Sequence, residues 1–175
     1  TQESEKYSET ALKVREAFLN KWFDSQTGIV ATGSDACQAF ALWLDILPEE
    51  SRSKAARVMK EQLEANNYRF TTGSICTRYM VEMLTRYGCA DQAYTLMTLD
   101  RYPSYGYSIQ NEGTTIWERF ELKKNPTMNS HSHPMYASVD KWLYGYICGV
   151  SVLEPGCSEI KIKPYFPAGL LSAQC

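Results

Sequence analysis

The chain has 175 residues, 44% of them hydrophobic and 22% charged, enough to bury a core of one domain or of a large part of one. Its formal net charge of −2 leaves no basic footprint for nucleic acid or for an anionic membrane. No apolar run is long enough to cross a bilayer, and the polar opening from Thr1 to Lys6 is not an export signal.

Apolar residues recur at helical spacing through most of the chain. Tyr7, Ala11, Val14, Phe18 and Trp22 make the stripe of a first helix. A second helix is predicted over about Ser34 to Ile46, with Ala36, Phe40, Trp43 and Leu44 as its buried face. Pro48, with Glu49 and Glu50 at the positive helix end, opens a third. That helix buries Ala56, Met59 and Leu63 and stops near Asn66-Asn67. A fourth, about Ser74 to Tyr87, is buried through Ile75, Tyr79, Met83 and Leu84, with Gly88 as its stop. A short fifth covers about Asp91 to Leu99 and ends before Pro103. After a long loop, Pro134 opens a sixth, with Val139, Trp142, Leu143, Tyr146 and Ile147 inward. The alternation Ile160-Lys161-Ile162-Lys163 is a strand signal, so the chain leaves the helical region there.

Gly33, Gly73 and Gly113 recur at equal intervals, the first two within the same phrase, Thr-Gly-Ser. Two antiparallel helices and two turns fill such an interval, so the three loops are expected on one rim. The opposite rim has only the tight turns at Leu47-Pro48 and Gly88-Cys89. Spacing alone fits an interaction solenoid as well as an enzyme.

The six cysteines include no C-x-x-C pair, which removes the zinc and thioredoxin readings. Cys37, Cys76 and Cys148 fall in apolar helical patterns and are expected as buried free thiols, without a disulfide framework. No metal site or cofactor is expected, and no Gly-rich loop follows a strand.

Chemistry concentrates between Tyr102 and Gly149. The long loop there holds the acids Glu112 and Glu118, both histidines (His131 and His133) and a group of aromatics. Ser130 directly precedes the candidate histidines, but no Ser-His-Asp arrangement follows from sequence order. Tyr105, Tyr107 and Trp117 can stack on a sugar face, and each serves equally well as core.

The phrases Gly113-Thr114-Thr115-Ile116-Trp117-Glu118-Arg119-Phe120, Met128-Asn129-Ser130-His131-Ser132-His133-Pro134-Met135-Tyr136 and Trp142-Leu143-Tyr144 resemble the signature region of bacterial α-L-rhamnosidases, glycoside hydrolase family 78. The likeness extends upstream through Leu47-Pro48, Thr72-Gly73 and Leu84 to Leu96, and downstream to Pro155-Gly156 and Ile160 to Tyr165. It implies an all-α fold, part of an (α/α)6 toroid of antiparallel hairpins, with a short C-terminal β segment. Residues 1–152 would be the second half of the toroid domain and 153–175 the start of a β-sandwich.

The resemblance further implies an inverting hydrolase that releases terminal α-L-rhamnose. Inversion uses two carboxyls about 6.5–9.5 Å apart, one activating water. The family's T-T-x-W-E glutamate is that base and falls on Glu118; Glu112 lies outside the matched phrase. His133 matches the histidine of the family's H-P-M phrase and, with Trp117, Tyr105 and Thr72, is expected to contact the sugar. A helix cap is the plain alternative for either histidine. The acidic, Arg-containing phrase that carries the family's general acid does not occur before Thr32. The chain is therefore expected to be a fragment, inactive alone, whose partners are a rhamnose-containing carbohydrate and the remainder of a parent chain. Cytoplasm, periplasm and secretion stay open. A six-hairpin hydrolase for another sugar and a non-catalytic helical-hairpin module are the competing readings.

Overall fold

A computed structural model describes residues 1–122 and 130–175; Met128 and Asn129 of the matched phrase lie outside them. The chain is mostly helical. The order is α1 (Gln2–Trp22), α2 (Asp35–Trp43), α3 (Glu49–Ala65), α4 (Ser74–Arg86), α5 (Ala90–Met97), α6 (Tyr105–Gln110), α7 (Pro134–Ala137) and α8 (Asp140–Trp142). A π-helical turn, Leu143–Ile147, follows α8 directly. Strands β1 (Val150–Val152) and β2 (Ile160–Ile162) pair antiparallel, Ser151 opposite Lys161.

Helices α2, α3 and α4 pack against one another, and α5, α7 and α8 add to α4. The core runs through Leu42, Met59, Leu63, Met80, Leu84 and Trp142. Trp142 is fully buried, and its indole N–H donates to Thr85 Oγ1 at 2.7 Å. Burying that large ring without satisfying its donor would cost free energy, and Thr85 removes the penalty.

Helix ends follow local chemistry. Ser34 caps α2 through its hydroxyl. Asn66 closes α3, and Asn67 is left-handed at φ 57°. Gly88, at φ 83°, takes the left-handed position after α4 that a residue with a Cβ adopts at a cost. On α3 the expected Ala56, Met59 and Leu63 are buried.

The other buried faces differ from expectation. On α2, Gln38, Ala39, Ala41 and Leu42 face inward, whereas Trp43 and Leu44 are exposed and Ala36 and Phe40 are half-buried. The helix lies between α3 and α4, so its inner face is the one both neighbours share. On α4, Ile75 is exposed while Cys76, Met80 and Val81 are buried beside Met83 and Leu84. Helix α1 buries none of its residues; Tyr7, Val14 and Trp22 are exposed, and only Phe18 and Leu19 reach the core cluster. The long loop contains α6, and the expected sixth helix is broken into α7, α8 and the π turn, leaving Leu143 exposed.

Cys148 corrects the cysteine expectation: it is disulfide-bonded to Cys175, with Cα atoms 6.2 Å apart. The C-terminal tail folds back over the π turn, where Lys163 donates to the Gly149 carbonyl and Tyr165 to that of Tyr146. Cys37 and Cys76 are free, and burial pushes the Cys76 thiol up to about 12, with nearby Asp35 and Cys37 acting in the same direction.

Gln38 ties the hairpins together. Its Oε1 accepts the Val30 amide at 2.7 Å, and its Nε2 donates to Gly28 O and Ala55 O at 2.9 and 3.0 Å. Three bonds from one fully buried amide join α2 to the loop before it and to α3.

Candidate functional site

The loops of the repeating glycines meet on one rim. Gln62, near the end of α3, donates to Gly33 O at 2.5 Å, and Thr71 Oγ1 donates to the Asp35 carboxylate, which sets the loop before α4 beside the start of α2. Arg119 and Phe120 line the same cleft as Thr71, Thr72 and Gly73. The glycines have unlike backbones: Gly33 is left-handed, Gly73 is extended at the N-terminus of α4, and a Cβ on Gly113 would lie 2.7 Å from Ser108 O. Loop placement is what they have in common.

Segment 115–118 runs alongside 130–133. The Glu118 amide donates to Ser130 O at 3.0 Å, and the His133 amide to Ile116 O at 2.8 Å. Thr115 Oγ1 donates to His131 O. This short ladder brings the two halves of the signature region together. Glu118 is half-buried, and its Oε2 accepts the Ser130 amide at 3.1 Å. Trp117 is buried, with its ring centroid 5.4 Å from that of His131.

His133 is the N-cap of α7, and Pro134 takes the first helical position. Nδ1 of His133 accepts the Met135 amide at 3.3 Å. An accepting Nδ1 is unprotonated, which leaves Nε2–H as the donor of the neutral ring. The capping role is therefore present, and it leaves one ring nitrogen available.

Two neighbouring concavities share the wall made by Phe120 and Tyr136. One, about 220 Å³, is largely apolar and lined by Tyr105, Ile109, Ile116 and Trp117. The other, about 350 Å³, is polar and lined by Arg69, Thr72, Tyr102, Arg119 and Glu121. Glu118 and His133 line neither. The five sequence candidates thus fall into three places: Glu118 and His133 on the ladder, Trp117 and Tyr105 at the apolar concavity, Thr72 at the polar cleft.

Tyr105 packs edge-on against Phe70, Phe120 and Tyr136, and its hydroxyl donates to Tyr136 O at 2.9 Å. Burial, and then Tyr136 and Asp140, drive its phenol well above the ordinary range, so it stays neutral. Thr72 is buried; its hydroxyl pairs with that of Thr77 at 2.8 Å, and its carbonyl accepts from the Tyr136 hydroxyl at 3.5 Å. Glu112 is exposed in a left-handed turn at φ 61°. Sequence reasoning overlooked Arg69, whose only signal is its place just before Thr71-Thr72-Gly73. Among the described residues, no group of three or more His, Cys, Asp or Glu side chains could hold a metal ion.

Stacked helical hairpins carrying long loops on one rim define a helical-hairpin domain. Residues 1–147 match the bacterial α-L-rhamnosidase six-hairpin glycosidase domain, and the chain belongs to that family. It is 30% identical over 164 residues to an α-L-rhamnosidase of Streptomyces avermitilis, covering 90% of this chain and 16% of the relative. To one of Formosa agariphila it is 32% identical over 178 residues, covering 98% and 19%. Among solved structures, the Streptomyces avermitilis α-L-rhamnosidase complexed with L-rhamnose superposes with a TM-score of 0.88 at 29% identity, covering 94% of this chain and 16% of that one. The Aspergillus terreus α-L-rhamnosidase gives 0.88 at 30%, covering 96% and 20%. The chain therefore spans less than a fifth of the length of the Streptomyces avermitilis and Formosa agariphila relatives.

Proposed function

We propose that this chain supplies part of the active site of an inverting α-L-rhamnosidase, with Glu118 as the general base. The observation that carries the reading is the Glu118 carboxylate, fixed by the Ser130 amide on the loop ladder beside buried Trp117. One oxygen bonded to an amide leaves the other to take a proton from water. That water attacks the anomeric carbon on the face opposite the leaving oxygen, which is protonated by a second carboxyl about 6.5–9.5 Å away, supplied by chain beyond these residues. The Nε2–H of His133 donates to a sugar hydroxyl. Trp117 and Tyr105 form the apolar side that a deoxy sugar's methyl group favours, and the Thr72 loop closes the far side. Residues 1–152 constitute the toroid part and 153–175 begin a β-sandwich.

The test is Glu118→Gln in the full-length protein, with an aryl α-L-rhamnoside as substrate. Loss of a general base lowers turnover on the order of 10²–10⁴-fold. Proton NMR of the first-formed anomer reads the stereochemistry. Near-normal turnover in the variant, or a retained anomer from the parent, overturns the assignment.

A further inference from the structure

Eight arginines occur in the chain, and six give their guanidinium groups to protein acceptors. Arg52 and Arg86 meet Asp45, Arg57 meets Glu61 and Arg78 meets Glu82. Arg15 donates to Ile46 O and Arg101 to Asn67 O. Among the described residues, Arg69 and Arg119 have no such acceptor, and both line the polar cleft at the rim. Fifty positions apart in sequence, they reach it from different loops.

We propose that this cleft is a subsite for an anionic group, a carboxylate or a sulfate ester, carried by the sugar next to the rhamnose. The substrate context rests on the rhamnosidase reading; the choice of an anion rests on the two arginines. A guanidinium offers a planar fork of donors that matches the oxygens of either group. Arg69 lies over the Tyr102 ring at 5.7 Å, a contact that positions the cation without using its donors. Among the described residues that line the cleft, Arg69 and Arg119 are the cations and Glu121 the one acid. The floor beside them is open: a Cβ on Gly73 would meet nothing within 4 Å. Phe120 and Tyr136 supply the wall on which a sugar ring can rest.

The experiment is calorimetry on the full-length protein with three rhamnosyl disaccharides whose second sugar is glucose, glucuronate or a sulfated glucose. The anionic probes bind more tightly than the neutral one, and the carboxylate and sulfate arms decide between the two sources. The advantage shrinks as salt is raised. Arg69→Gln and Arg119→Gln each reduce it on the order of threefold to tenfold, less than a fully buried charge-assisted pair because both side chains are exposed. Arg57→Gln, on the outer face of α3, leaves it unchanged. Equal affinity for all three probes, or a preference that survives the double arginine variant, overturns the proposal. Free rhamnose, free glucuronate and methyl sulfate are titrated as well. Failure of rhamnose alone to bind sinks the rhamnosidase reading, while the two anions still report on the cleft.

Discussion

Glu118 and Ser130 hold each other twice: the Glu118 amide donates to the Ser130 carbonyl at 3.0 Å, and the Ser130 amide donates back to the Glu118 carboxylate at 3.1 Å. The side chain cannot swing away without giving up its bond to the residue that pairs with its own backbone. The positioning of Glu118 is thereby coupled to local folding, and chemistry and stability can be separated by substitution.

Glu118→Gln keeps an acceptor for the Ser130 amide, whereas Glu118→Ala removes it. We expect Gln to leave the melting temperature close to that of the parent and Ala to lower stability by about 1 kcal/mol. Both variants lose turnover. Thermal melts beside single-turnover assays check the pair, and equal stability of Gln and Ala would show that the Ser130 bond contributes nothing.

His133 joins a cap to a free donor, and Asn can replace the cap alone. Asparagine is a strong N-cap residue, so His133→Asn is expected to retain stability, while His133→Ala loses about 0.5–2 kcal/mol. Both substitutions remove Nε2–H, and rhamnose affinity should fall in both. Rhamnose binding restored by Asn would confine His133 to capping.

Asp35 gives a pH signature. It is 3% exposed, its Oδ1 has no hydrogen-bond partner among the described residues, and its Oδ2 accepts from Thr71. Burial raises its pKa above the ordinary carboxylate value, and the Thr71 bond only partly opposes that. The folded state therefore holds this proton more tightly than the unfolded chain. Its contribution is fully present below the unfolded pKa and is lost as pH rises through the folded one. Asp35→Asn retains an acceptor for Thr71 and carries no charge. The variant should gain melting temperature relative to the parent as pH rises from strongly acid to neutral, with no gain at the acid end. A pH-independent difference would contradict this.

Gln38→Leu fills similar space but leaves the Val30 amide and the Gly28 carbonyl without their partner and takes from the Ala55 carbonyl its bond beyond the helix. Each buried polar group stranded in this way costs about 1–3 kcal/mol. We expect a loss of at least about 2 kcal/mol in urea denaturation, larger than for the exposed Gln26→Leu. A loss below that of Gln26→Leu would mean that water replaces all three bonds.

The sequence by itself determined features with local causes. Asn66 and Gly88 end their helices because backbone preference acts within one turn. Ala56, Met59 and Leu63 could be placed because α3 has charged residues on its other side. The Ile160 to Lys163 alternation produced a strand, and the Thr-Thr-Ile-Trp-Glu phrase identified the family. Tertiary structure decided what depends on neighbours distant in sequence. Helix α2 is apolar on most sides, so periodicity could not single out the face wedged between α3 and α4, and Gln38 acquired its three partners from that wedge. Cys148 found Cys175 only because the tail folds back over the π turn. Arg69 and Arg119 belong to separate loops, and they share a cleft because hairpin packing sets those loops on the same rim.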